Sequence, residues 1–209
     1  MNNIENIVFD VGQVLLTFQP EKFLSGFTDD EREVEKISSA VFRSSEWLNL
    51  DRGSWSRQEA ADFFRERLPE YGEIIEKAVL NWTDMLKPID ENIELMQELK
   101  SQGYLVYVLS NFPEEGYRKA REEFSFWRHF DGIVISALEG YVKPEAEIYQ
   151  VLLSRHNLKP EKTIFIDDSE KNIKGAESEG IIGIEFNEPA ELRKELADIC
   201  QNEKIKALG

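Results

Sequence analysis

The chain has 209 residues with 25 Lys and Arg against 41 Asp and Glu, a net charge of −16, so its field repels polyanions and argues against nucleic acid and anionic membranes as partners. Apolar residues make up 41% and charged residues 32%, without repeats or low-complexity tracts, which excludes a disordered chain and suits one globular domain carrying an insertion. The single cysteine, Cys200, excludes an internal disulfide and a cysteine-based metal cluster; with no basic, apolar leader at residues 1–6 and no bilayer-length apolar run, a cytoplasmic location is expected.

The first predicted element is a buried strand over residues 4–9, where Ile7-Val8-Phe9 runs into Asp10-Val11-Gly12, a tight turn. From about Thr17 to Lys87 the pattern is helical with no convincing strand. That stretch predicts an inserted helical subdomain, with Ser56-Arg57-Gln58-Glu59 as a capping box at one helix start. Lys87-Pro88 marks the return to the core. Strands are then expected over 104–109, 133–135, 163–166 and 182–186, alternating with helices over 91–100, 145–156 (opened by Pro144) and 170–179. Such alternation implies parallel pairing, hence an α/β fold with a Rossmann-like parallel sheet and helices on both faces. The core then comprises residues 1–16 and 88–209, and the helical insertion residues 17–87.

Ligands bind at the carboxyl ends of strands in sheets of this kind, which singles out Asp10, Ser110, Asn111, Asp167 and Asp168. Asp10 at a strand tip, followed by Gly12, suits a nucleophile or a metal ligand, and equally an Asp that caps a turn. Ser110-Asn111 offers a hydroxyl, an amide and backbone N–H groups to a phosphate, but is also a common turn pair. Lys143 before Pro144 is either an aimed cation or a solvated lysine. Asp167-Asp168, with Asn172 in the first turn of the following helix, puts two carboxylates side by side. Such a pair is stabilised by a cation and suits Mg²⁺, although one of the two acids could instead cap the helix.

Taken in order, a strand-end Asp, a strand-end Ser, a lysine and a strand-end acidic pair, with a helical insert after the first strand, resemble the haloacid dehalogenase superfamily over essentially the whole chain. The insert looks like the small helical cap of the family's first cap class. Within that class, the Phe-Asp-x-Gly-x-Val and Ile-Asp-Asp-x-x-x-Asn-Ile forms are most similar to bacterial sugar-phosphate phosphatases, including α-glucose-1-phosphate phosphatases. The resemblance implies a Mg²⁺-dependent phosphatase acting on a small phosphorylated metabolite, with a sugar phosphate as the expected substrate. In it Asp10 is nucleophile and metal ligand, the Gly12 carbonyl and Asp168 are ligands, and Asp167 supports the metal through water or from behind. Ser110 and Asn111 bind phosphate, and Lys143 neutralises the transferring group.

One departure stands out. Most phosphatases that this chain resembles carry a second Asp two residues after the nucleophile as acid and base; here that position is Gly12, and positioned acid–base groups contribute about 10²- to 10⁴-fold. Asp51, in Asp51-Arg52-Gly53, is a candidate for a contribution from the insert, with a turn Asp beside Gly as its plainer reading. Two rival functions stay open at this point. They are a metal-independent haloacid dehalogenase, against which the acidic pair argues, and a ligand-binding or regulatory member of the fold that has lost turnover.

Overall fold

The computed structural model describes residues 4–200, so the outermost ends of the predicted core segments, 1–3 and 201–209, lie outside the described residues. Five strands, β1 (Asn6–Phe9), β2 (Leu105–Ser110), β3 (Gly132–Ile135), β4 (Thr163–Asp167) and β5 (Ile182–Glu185), form one parallel sheet in the order β3-β2-β1-β4-β5. The short apolar runs suit a sheet covered on both faces, and the two strands β1 and β4 at its middle are buried along their whole length. Their side chains alternate: Ile7, Phe9, Val106, Val108, Ile164 and Ile166 enter one buried cluster, while Val8, Tyr107, Leu109 and Phe165 enter a second on the opposite face. β1 sits at the centre, so whatever follows Phe9 is flanked by the ends of β2 and β4.

Between β1 and β2 the chain builds α1 (Pro20–Leu24), α2 (Glu31–Ala40), α3 (Leu48–Asp51), α4 (Arg57–Arg67) and α5 (Gly72–Leu80), then α6 (Asp90–Ser101). Ser56 and Glu59 form the expected capping box at the start of α4. The chain leaves and re-enters the sheet layer at one place. Thr17 N–H donates to the Lys87 carbonyl at 2.8 Å, Ile89 N–H to Leu15 at 2.9 Å, and the buried Asn92 amide to the Val14 carbonyl at 2.7 Å.

The remaining helices are α7 (Glu114–Glu123), α8 (Ser136–Glu139), α9 (Ala146–His156), α10 (Glu170–Ser178) and α11 (Pro189–Cys200). One expectation is corrected here: Pro144 does not open α9. Residues 142–145 form a turn, in which Glu145 N–H donates to the Val142 carbonyl at 2.8 Å and the Glu145 carboxylate accepts from Val142 N–H at 3.0 Å. The helix starts only after Glu145, its N-cap, and the Lys143–Pro144 peptide is cis. No helix among the described residues is long and apolar enough to cross a membrane.

Candidate active site

The singled-out residues meet at the carboxyl edge of the sheet. Asp10 follows β1, and its N–H donates to the Ile166 carbonyl at 2.9 Å, which ties the turn to the end of β4. The turn is closed by Leu15 and Leu16, whose N–H groups both donate to the Val11 carbonyl, at 2.9 and 2.8 Å. Gln13 takes a left-handed backbone there, φ 58°, and its side-chain carbonyl accepts from Phe18 N–H at 2.7 Å. A non-glycine residue in that region is uncommon, and such strain gathers at functional turns.

Lys143 is at the centre of the group. It is 3% exposed, and its Nζ lies 2.8 Å from Asp10 Oδ1 and 2.6 Å from Asp167 Oδ2. Burial acts to lower its pKa, but the two carboxylates outweigh burial and hold it above the ordinary lysine range. Asp167 is fully buried, with its other oxygen accepting from Ser169 N–H at 2.9 Å and from the Asn172 amide at 3.0 Å. Asp168 is exposed instead and borders a cavity that Asp10 and Gly12 also line.

Carboxylate oxygens of Asp10, Asp167 and Asp168 all lie within 4.8 Å of one another. Three carboxylates against one ammonium leave excess negative charge in a poorly solvated place. Burial accordingly pushes Asp10 up to about 7; Lys143 opposes this, and Asp167 and Asp168 add to it.

Ser110 stands at the end of β2, 1% exposed, and its hydroxyl has no hydrogen-bond partner among the described residues. An orphaned buried hydroxyl of this kind calls for a partner that the protein itself does not supply. Asn111 is placed differently from the expectation for its side chain. Its amide brackets the backbone of Lys143, donating to the carbonyl at 3.1 Å and accepting from the N–H at 2.8 Å. The side chain therefore fastens the lysine's loop.

Asp51, at the end of α3, is brought into the same cavity as Asp10, Gly12 and Asp168. It is 8% exposed, and burial pushes its carboxyl up to about 7, with Lys143 opposing and Asp10 adding to the rise. Its neighbours hold it there. The Ser136 hydroxyl donates to the Asp51 carbonyl, Arg52 pairs with both oxygens of Glu145 at 2.8 and 2.6 Å, and a Cβ on Gly53 would lie 2.5 Å from the Ala137 carbonyl. Only a residue without a side chain seats so closely.

The sequence reading missed the far walls of the cavity, which are Phe18, Phe42, Trp47, Trp82, Leu86 and Phe112. A signal was present: three of the four tryptophans, Trp47, Trp55 and Trp82, fall in the helical stretch between β1 and β2.

Asp10 and Asp51 make the metal-free protein pH-sensitive. Each holds its proton more tightly when folded than the ordinary Asp value of 3.8 allows. The resulting stabilisation is full below about pH 4 and is lost as pH rises to about 7. In chelator, thermal unfolding should therefore occur at a lower temperature at pH 8 than at pH 5, and Asp51→Asn should flatten the difference. Acids held below their ordinary values, such as Glu21 and Glu145, act only below the ordinary Glu value of 4.5. His156, which burial holds low, works against the trend below 6.5. An unfolding temperature that rises from pH 5 to pH 8 in wild type and variant alike would remove the buried-carboxyl account.

Comparison with known proteins adds a family. A model of haloacid dehalogenase-like hydrolases matches residues 4–180. The sesquiterpene phosphatase astK of Aspergillus oryzae is 29% identical over 87% of this chain and 89% of its own length. The D-ribitol-5-phosphate phosphatase of Bacteroides thetaiotaomicron is 26% identical over 95% of this chain and its entire own length. Among solved structures, a haloacid dehalogenase family enzyme of Bacteroides thetaiotaomicron in complex with magnesium and inorganic phosphate superposes with a TM-score of 0.69, at 25% identity, over 88% of this chain and 94% of that one.

Proposed function

The chain belongs to the haloacid dehalogenase-like hydrolase family, and from that premise we propose that it is a Mg²⁺-dependent phosphomonoesterase working through a phospho-aspartate at Asp10. The observation that carries the proposal is the buried Lys143 ammonium held between Asp10 and Asp167, with Asp168 beside them. Relatives named for a terpene and for a sugar-alcohol phosphate leave a small phosphorylated metabolite, sugar phosphates included, as the substrate class. The residues fit Mg²⁺: hard oxygen donors converge within 4.8 Å, and their uncompensated charge is relieved by a divalent cation. Asp10, Asp168 and the Gly12 carbonyl would hold it, with Asp167 behind. When bound, it supplies charge neutralisation of the phosphoryl oxygens and orients them.

The chain's own groups do the rest. Lys143 keeps Asp10 ionised and offsets the repulsion between carboxylate and ester. Ser110 Oγ donates to a phosphate oxygen, and Asn111 contributes through its main chain while its amide holds the lysine's loop. Asp10 attacks phosphorus, the ester P–O bond breaks, and the alkoxide takes a proton from Asp51. Water then gives its proton to Asp51, attacks the aspartyl phosphate and releases inorganic phosphate. Asp51 thus supplies the acid and base that Gly12 lacks. It comes from the helical insertion, which we read as the cap.

Chelator should abolish phosphate release, and Mg²⁺ should raise the unfolding temperature of wild type at pH 8. The acidic pair separates in this assay. Asp168→Ala should keep the metal-free unfolding temperature but lose its Mg²⁺ shift, together with turnover. Asp167→Ala should destabilise the protein even without metal, by about 3 kcal/mol, because it strips a partner from a buried ammonium. A Mg²⁺ shift that survives Asp168→Ala would move the metal away from that carboxylate.

A further inference from the structure

Beyond the phosphate end, the cavity at Asp10 is a ring of aromatic side chains drawn from four parts of the chain. Phe18 comes from the turn after β1, Phe42 and Trp47 flank α2 and α3, Trp82 follows α5, and Phe112 follows β2. The rings contact one another: Phe18 lies 6.1, 6.4 and 6.2 Å, centroid to centroid, from Phe42, Trp47 and Trp82. Trp47 lies 4.8 Å from Phe42 and 6.0 Å from Trp82, and Trp82 lies 5.5 Å from Phe112. The wall is fixed. Trp82 packs so tightly on Gly116 that a Cβ there would lie 2.3 Å from the indole, and the ring is 2% exposed.

These walls offer very little to hydroxyl groups. Among the described residues, no Ser, Thr, Tyr, His, Lys or Arg lines the cavity. Of its two amides, Asn111 spends both ends on Lys143, and Gln13 gives its oxygen to Phe18 N–H, which leaves the Gln13 N–H₂ as the one side-chain amide donor for a ligand. The Trp82 indole N–H is itself buried, without an acceptor among the described residues. A polyol placed here would bury several hydroxyls without partners, whereas an alkyl or aryl group gives up water at no such cost. The absence of a cation on the far walls equally disfavours a second phosphate. The volume, about 220 Å³, is below the range of about 300–1,000 Å³ usual for drug-sized ligands, so the alcohol is small.

We propose that the substrate is the phosphate monoester of a small apolar alcohol, a short branched or linear chain or a single ring, whose carbon skeleton lies among Phe18, Phe42, Trp47, Trp82 and Phe112. The proposal rests on the phosphatase reading and narrows its substrate class.

The test uses esters of primary alcohols, so that leaving-group strength is matched. Purified protein with Mg²⁺ is assayed on isopentenyl, hexyl and benzyl phosphates against glycerol 3-phosphate and glucose 6-phosphate. The apolar set should show kcat/KM at least tenfold higher. Phe18→Ala, a change at a partly exposed ring, should raise KM for hexyl phosphate several-fold, and by a larger factor than KM for glycerol 3-phosphate; an equal rise for both esters overturns the apolar wall. Equal or better kcat/KM on the two polyol esters overturns the proposal while leaving the phosphatase reading intact. Should no ester be hydrolysed, the phosphatase reading fails, and calorimetric titration with hexylphosphonate and with glycerol 3-phosphate still decides the cavity: tighter hexylphosphonate binding supports the apolar pocket, and the reverse order rejects it.

Discussion

Asp10→Asn should fold, keep its secondary structure and release no phosphate, with turnover down about 10⁴-fold or more, as loss of a covalent nucleophile does elsewhere. The amide keeps the shape of the side chain but cannot form the acyl phosphate, and it withdraws one negative charge from the cluster of three carboxylates. Lys143 keeps Asp167 at 2.6 Å, so the fold retains its buried ion pair. Because burial raises the Asp10 pKa, removing the charge should leave the metal-free protein at pH 8 as stable as wild type, or more so. Phosphate release and thermal unfolding, measured on one preparation of Asp10→Asn and one of Asp10→Ala, check both statements. Retention of a few per cent of activity by both variants would rule out covalent catalysis at this residue.

The second large effect belongs to Asp51. Asp51→Asn should lower kcat/KM on alkyl esters by about 10²- to 10⁴-fold, the usual contribution of a positioned acid, and should lower it far less on 4-nitrophenyl phosphate. The comparison is made on kcat/KM because it covers the steps up to departure of the alcohol, where a good leaving group needs little protonation. In wild type the alkyl-ester profile should fall as pH rises past the Asp51 pKa, since the acid must carry its proton, and Asp51→Asn should lose that limb. Gly12→Asp supplies a second check. Gly12 does not have a left-handed backbone, and nothing lies within 4 Å of the Cβ it lacks, so the substitution should fold without strain. Added to Asp51→Asn, it should regain at least tenfold on alkyl esters. If Asp51→Asn slows aryl and alkyl esters equally, its role is structural. If every form binds Mg²⁺ and an alkyl phosphonate but none turns over, the chain is a ligand-binding member of its family.

What could be read from the chain followed from how locally each feature is encoded. All five strands, β1 to β5, were visible as apolar runs broken by turn residues. Asp10, Ser110, Asp167 and Asp168 were visible because a parallel sheet presents its strand ends along one edge, so position along the strand fixes position in space. Lys143 was visible only through its order among them, and the proline after it misled about the helix start, since Glu145 is drawn back to Val142 N–H and out to Arg52. The Asn111 amide was unreadable for a related reason: its partner is a backbone 32 residues away. Asp51 and the aromatic wall depend on how helices between β1 and β2 pack on the sheet edge, and no periodicity encodes that docking. The capping box at Ser56 needed no such information, because its partners are three residues apart.

Arg52 reaches from the residue after Asp51 to two oxygens of Glu145 and to the Gly140 carbonyl, at 3.0 Å for the last. Both charged side chains are about one-third exposed, 33% and 35%, so the clasp is strong in geometry yet open to screening by salt. Its two ends belong to different machinery. On one side the neighbouring residue is Asp51; on the other, Glu145 also holds the turn that carries Lys143. On the mechanism proposed above, loosening this one surface contact would shift Asp51 and slacken the turn that carries Lys143 together, so salt that screens the pair should act on both ends of the site at once.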